Sequence, residues 1–435
     1  MGDDSALSEP SWSRPLSDMD DIAPGLMVLH GNRLEELRDV LVAWLRRAPL
    51  APLEDEWVLV QSNGIAQWFQ QALARGVDAG GLGISAAVNV QLPGRFLWKA
   101  YRAVLGDDAV PPESPFDKSR LVWRLMRLLP ALANEPGFAP LAAFLGGDGD
   151  ARKCHQLAER LADLYDQYQV YRADWLDDWA AANDVPRDAR GRAPAMGAGD
   201  QWQAALWRRL LDDVGPGDAE GHRAAVHNRF LHAVADASAR PRRLPRRIVV
   251  FGMSSLPRQT LEALSALSRW SQVLLVVMNP CRHYWADIVD DRELLRAERR
   301  RQAPKDGMPA MLSDADMHLH ANPLLAAWGK QGRDYIRMLD EFDHPDSYRE
   351  RFTAWDQRID LFEAPTSSSL LAQVQGAILD LEPLTAEPRS SHPAMTASRS
   401  MSRMARSARW RYCTTSCSRV SKRRRARAIR SFRAT

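Results

Sequence analysis

Two kinds of apolar pattern alternate along this chain. Short runs rich in β-branched residues, LMVLH at 26–30, WVLV at 57–60, RRIVVFGM at 246–253 and SQVLLVVM at 271–278, each end in a polar, Gly- or Pro-containing turn. Runs of that length, apolar on every position, predict buried strands of a parallel sheet covered on both faces. Between them, LPRQTLEALSALSRW at 256–270 repeats its apolar residues at helical spacing. So do LVWRLMRLLPAL at 121–132 and HQLAERLADLYDQYQVY at 155–171. Strand followed by helix predicts an α/β fold, and the helical stretch from 106 to 240 predicts a large helical block inserted into the sheet. Residues 291–320 are charged and patternless, which predicts a surface loop.

The stretch WVLVQSNGIAQWFQ at 57–70 joins a strand to a helix through a Gln-Ser-Asn-Gly turn. Open α/β sheets bind ligands at the carboxyl ends of their strands. The groups presented here are amides and an aromatic. Gln61, Asn63 and Gln67 can each donate and accept, as base edges require, and Trp68 offers a stacking face. The plainer alternative is a capped helix that buries Ile65, Trp68, Phe69 and Leu73 and leaves its glutamines solvated.

On the helix at 155–171, Leu157, Leu161, Leu164, Tyr165 and Tyr168 fall on one side, and Asp163, Asp166, Gln167 and Val170 on the other. Two carboxylates and an amide can read exocyclic amino groups, or they can form a solvated acidic face. A metal site is a poorer reading, because no His or third carboxylate lies near. The turn HGNRLEEL at 30–37 stands where a nucleotide-hydrolysing motor carries its phosphate loop, yet it has neither the Lys nor the Ser/Thr of GxxxxGK[ST]. Arg33 there is left to contact a nucleic acid or cap a neighbour.

Charge changes the picture by its distribution. The net charge is +3, but residues 389–435 hold thirteen Arg, one Lys and no acid, so residues 1–388 are net acidic. An acidic body disfavours coating duplex DNA by phosphate neutralisation alone, while the tail invites reading as a nucleic-acid-binding arm. No apolar run approaches the about 18 residues of a membrane span. Cys154 and Cys281 are isolated, and Cys413 and Cys417 lie in the tail, so neither a disulfide framework nor a zinc site is indicated and a reducing cytoplasm is expected.

Six blocks in order, QSNGIAQW, LPGRFLW, ADLYDQYQVYRADWL, FGMSSLP, NPCRHYWADI and NPLLAAWGKQGRDYI, resemble the N-terminal part of the RecC family, a subunit family of exodeoxyribonuclease V, the bacterial RecBCD helicase-nuclease. The resemblance covers roughly residues 27–385. It implies an inactivated superfamily 1 helicase-like α/β fold with a parallel sheet, divided as a disordered extension at 1–26, sheet domain at 27–105 and 241–385, inserted helical subdomain at 106–240, and tail at 386–435. It implies a non-catalytic role in double-strand-break repair: splitting DNA strands and scanning the emerging single strand for the Chi sequence, beside RecB-like and RecD-like subunits. ATP and magnesium then belong to those partners, and no cofactor to this chain.

By position, the resemblance makes Gln61, Asn63, Gln67, Leu92, Trp98, Asp163, Leu164, Asp166, Gln167, Arg172 and Arg223 the DNA-contacting set. Asn63 stands where the enterobacterial form has Thr, which puts the recognised sequence in doubt. Read one nucleotide earlier, permitted codons for residues 393–418 give a peptide that resembles the family's continuation. The tail is therefore expected to be frameshifted, and an inactive fragment of a broken gene is the alternative reading of the whole. An autonomous ATP-dependent helicase or nuclease is the other, and no motif for either activity is visible.

Overall fold

A computed structural model describes residues 22–146, 149–188, 191–197, 199–285, 322–354 and 358–382. The expected tail at 386–435, the loop at 291–320 and all but the end of the 1–26 extension lie outside the described residues.

Six parallel strands form one sheet: β1 (Gly25–Gly31), β2 (Glu56–Val60), β3 (Val88–Gln91), β4 (Arg247–Met253), β5 (Gln272–Met278) and β6 (Asp360–Leu361). Their order across the sheet is β3-β2-β4-β5-β1-β6. The helices that flank it are α1 (Leu34–Arg47), α2 (Asn63–Ala74), α3 (Pro93–Leu105), α9 (Arg223–Asp236), α10 (Arg258–Leu267), α11 (Pro323–Trp328), α12 (Lys330–Asp340), α13 (Arg349–Thr353) and α14 (Leu370–Leu379). Between α3 and α9 run α4 (Lys118–Leu132), α5 (Ala139–Leu145), α6 (Ala151–Tyr171), α7 (Ala173–Ala180) and α8 (Gln201–Val214).

The uninterrupted apolar strands follow from burial on both faces. Ile248 and Val250 of β4, with Val273, Leu275 and Val277 of β5, pack against Phe96, Tyr101, Phe230, Leu264 and Ile336. The alternate residues Val249, Phe251, Leu274 and Val276 pack on the opposite face against Leu37, Leu41, Trp44, Phe69, Leu73 and Phe352. Successive strand residues point to opposite faces, so an element covered twice needs an apolar residue at each step. A separate core, from Phe116 through Tyr165 and Trp179 to Trp207 and Leu210, holds α4 to α8. Val226, Phe230 and Val234 of α9 pack with the sheet rather than with that second core.

From β2 the chain crosses by α2 to one side of the sheet; from β4 it crosses by α10 to the other. These two helices cover opposite faces. The point where connections diverge, between the carboxyl ends of β2 and β4, is where an open sheet forms a crevice.

The amino ends of the same strands are closed by Arg247, which is fully buried. Its guanidinium donates to Glu56 of β2 (2.6 Å), to Gln272 of β5 (2.8 Å) and to the carbonyl of Ala48 after α1. Trp44 of α1 adds its indole N–H to Gln272 (3.2 Å). Burial raises the Glu56 carboxyl and lowers Arg247, each opposed by the attraction of the other. Removing one partner strands the second charge in the interior. Arg247→Ala is therefore expected to lose about 3–5 kcal/mol in urea unfolding, and Arg247→Met with Glu56→Leu to lose much less. An Arg247→Ala midpoint equal to that of the parent chain would contradict the clamp.

Candidate nucleic-acid interface

The β2–α2 turn lies at the point where the sheet's connections diverge. Ser62 ends the extended backbone and caps α2, its hydroxyl accepting from the Ile65 amide (3.4 Å). That cap directs Gln61, Asn63 and Gln67 outward; all three are exposed, and none has a side-chain hydrogen bond among the described residues. The register Leu59↔Gln91 brings Leu92, 49% exposed, beside this turn. On the neighbouring strand, β4 bends at Gly252, whose φ is +68° and where a Cβ would lie 2.8 Å from the Ile65 side chain of α2. Glycine there accepts the positive φ and lets the first turn of α2, through Ile65, pack onto the end of β4.

Two aromatic candidates are partly committed. Trp68 lies half-buried with the Arg38 guanidinium 4.4 Å from its ring centroid and Phe251 stacked at 6.0 Å, so it is no free stacking face. Trp98 is half-buried on α3, donates to the Pro111 carbonyl (3.0 Å) and packs edge-on to Tyr101.

The acidic side of α6 is engaged with basic partners. Asp163 is ion-paired with Lys118. Asp166 (3.1 Å) and Asp117 (3.0 Å) share Arg223 at the start of α9. Next to them, buried Gln169 donates to the Phe116 carbonyl (3.2 Å) and accepts from the Arg223 amide (3.1 Å). Gln169 is not among the residues expected from sequence, although an amide four residues after Tyr165, on the apolar side of the helix, marks it. Arg172 holds Asp174 through two nitrogens (3.0 and 2.8 Å), reaches the Arg187 carbonyl, and lies 4.0 Å from the Trp175 ring centroid. Leu164 is half-buried and Gln167 exposed. The structure thus joins Asp166 to Arg223, and Gln61 and Asn63 to Leu92, in two groups that no hydrogen bond or ion pair links among the described residues.

At the β1–α1 turn, the Asn32 amide donates to the Leu361 carbonyl (3.3 Å), and the Asn32 side chain exchanges hydrogen bonds with the Glu363 backbone (2.8 and 3.0 Å). Arg33 is ion-paired with Glu36 (3.3 Å) and Glu363 (3.0 Å). Burial first, then the Glu363 carboxyl, raises the Glu36 carboxyl. Acids and a spent backbone amide make a poor seat for a phosphate. Among the described residues no group of three His, Cys, Asp or Glu could hold a metal ion, and no helix is long and apolar enough to cross a membrane.

The sequence matches the family model described as RecC, N-terminal domain, over residues 26–381. It is 36% identical over 372 residues to the RecBCD enzyme subunit RecC of Escherichia coli K12, covering 82% of this chain and 31% of that protein. It is 35% identical over 390 residues to the RecC subunit of Haemophilus influenzae, covering 82% and 33%. The RecC subunit of Mycolicibacterium smegmatis is 28% identical over 346 residues, covering 76% and 28%. The chain thus spans about a third of the length of these relatives.

The α6–α9 junction predicts a pH dependence. His222 precedes Arg223, accepts from the Ala225 amide (3.3 Å) as the cap of α9, and packs edge-on against Phe116 and Trp207. Burial, with a smaller contribution from Arg229, lowers it from 6.5 to about 4. As pH falls the unfolded chain takes up the proton first, so this stabilisation is whole above about pH 6.5 and is lost towards about pH 4. The full loss is about 3 kcal/mol. His222→Asn, which can still cap, is expected to flatten the fall in thermal midpoint between pH 7 and pH 5; an unchanged slope would contradict this assignment.

Proposed function

This chain belongs to the RecC family, and we propose that it contributes the strand-scanning, non-catalytic N-terminal part of a RecBCD-type complex acting in double-strand-break repair by homologous recombination. The observation that carries the reading is the β2–α2 turn: at the divergence point of the sheet, Gln61, Asn63 and Gln67 present exposed amides with no protein partner among the described residues. Neutral donor–acceptor groups beside exposed Leu92 suit the edges of unpaired bases better than a phosphate backbone. Trp98, Asp163, Leu164, Asp166, Gln167, Arg172 and Arg223 complete the proposed path along α3, α6 and α9, with Asp166 acting through the Arg223 it holds.

In the same proposal the sheet is a superfamily 1 helicase-like domain that has lost nucleotide chemistry, and α4 to α8 are its inserted subdomain. The occupied, acidic β1–α1 turn supports that loss. ATP, magnesium and the motors belong to RecB-like and RecD-like partners, and the DNA handled is a single strand leaving a duplex end.

The test uses a full-length subunit carrying this N-terminal sequence, assembled with its helicase and nuclease partners. Gln67→Ala is expected to cost about 1–3 kcal/mol of discrimination at one base of the recombination hotspot, with a near-normal unwinding rate. An undiminished hotspot response would overturn the assignment.

A further inference from the structure

The amides of the β2–α2 turn suit base edges, but a nucleic-acid strand is held in register chiefly through its phosphates. The basic members of the proposed path are already matched by carboxylates: Arg172 holds Asp174, and Arg223 holds Asp117 and Asp166. The group at Gln61, Asn63 and Gln67 therefore needs a cation from elsewhere.

The chain around that group differs in charge from the rest. Residues 1–388 are net acidic, yet from Trp57 to Gly106 the only acid is Asp78, in the turn after α2 and so at the opposite end of that helix from Asn63. The same span carries four cations, Arg75, Arg95, Lys99 and Arg102. Arg75 closes the far end of α2. Lys99 donates to Gln91 (3.3 Å) and lies 5.2 Å from the Trp57 ring centroid, and Arg102 is ion-paired with Asp107 (2.8 Å). Arg95 is exposed and makes no hydrogen bond, ion pair or ring contact among the described residues.

Register puts Arg95 at the carboxyl edge. β3 runs parallel to β2 with Gln91 opposite Leu59, and α3 starts directly after it at Pro93, so Arg95 lies in the first turn of α3. That turn holds no acid, and a Cβ added at Gly94 would meet no atom within 4 Å, so the space beside Arg95 is open. Arg95 is three residues, about 5 Å along the helix, beyond exposed Leu92. β2 and β3 are about 4.8 Å apart. α2 covers one face of the sheet and α3 the other. A single strand laid along the edge then has the amides on one flank and a guanidinium on the other, which matches a polymer with bases on one side and phosphates on the other.

We propose that Arg95 is the backbone contact of the strand at this turn, its guanidinium binding a phosphate of single-stranded DNA while Gln61, Asn63 and Gln67 face the bases. The inference rests on the strand-scanning reading and adds to it a cation that is absent from the residues expected from sequence.

The experiment is photo-cross-linking of the full purified chain to a limiting amount of oligothymidylate containing 4-thiothymidine, at several salt concentrations, with the linked peptides mapped by mass spectrometry. Cross-links are expected at 61–67. Losing one phosphate contact lowers the log–log slope of single-strand affinity against salt by about 0.7, which is about 5-fold in affinity at about 0.1 M salt. Arg95→Gln should show that loss and that flatter slope at 61–67. Arg95→Lys should keep most of the signal, and Arg75→Gln, which removes the same charge at the far end of α2, should leave it unchanged. Cross-links at 61–67 that Arg95→Gln does not reduce would overturn this inference and leave the strand-scanning reading standing. No cross-links at 61–67 in the parent chain would overturn both. An equal loss in Arg75→Gln would make the effect one of overall charge, and a loss in Arg95→Gln with an unaltered salt slope would make it one of packing; either result would overturn the inference.

Discussion

Both faces of the parallel sheet are buried under helices, so its inner strands can meet a ligand only at their ends. The two ends are built for opposite purposes. At the amino ends, Arg247 draws β2, β5 and the end of α1 onto one guanidinium and uses its donors on protein acceptors. At the carboxyl ends the chain leaves each strand through a polar turn, and the side-chain amides of the turn after β2 have no partner among the described residues. Closure at one end fixes the register with which the other end presents its side chains. Gly252 then lets the first turn of α2 pack onto the end of β4 through Ile65.

The second constraint is the joint between the sheet and the α4–α8 core. Arg223 carries it, with Asp117 from one side, Asp166 from the other, and Gln169 on its own backbone amide. A guanidinium shared by two half-buried carboxylates is worth more as positioning than as net stability, because much of the attraction is offset by desolvation. Such a joint holds α6 at a fixed place relative to α9 and the sheet that α9 packs on. On the acidic face of α6, Asp163 is paired with Lys118 and Asp166 with Arg223.

Much of the architecture was legible in the sequence because it rests on local pattern. The four apolar runs became β1, β2, β4 and β5, and the two long amphipathic stretches became α4 and α6. β3 and β6 were not legible: VNVQ is only four residues long, too short for its alternation to stand out, and β6 has two residues whose pairing with β1 depends on the distant turn at Asn32. At the candidate site, the capped turn with its outward amides followed from Ser62 and the strand before it. The pairing of Arg223 with Asp117 joins residues more than a hundred positions apart, and periodicity carries no information about it. Trp68 shows the same limit, since nothing local reveals that Arg38 and Phe251 take up its ring.

Amide hydrogen exchange of the full chain, with and without a single-stranded oligonucleotide, asks most directly whether the carboxyl edge is the ligand-facing end. Added protection is expected in the turns at 61–67 and 92–96, and none around Trp44, Glu56 and Arg247 at the amino edge. Protection confined to residues 389–435, or equal at the two edges, would contradict it.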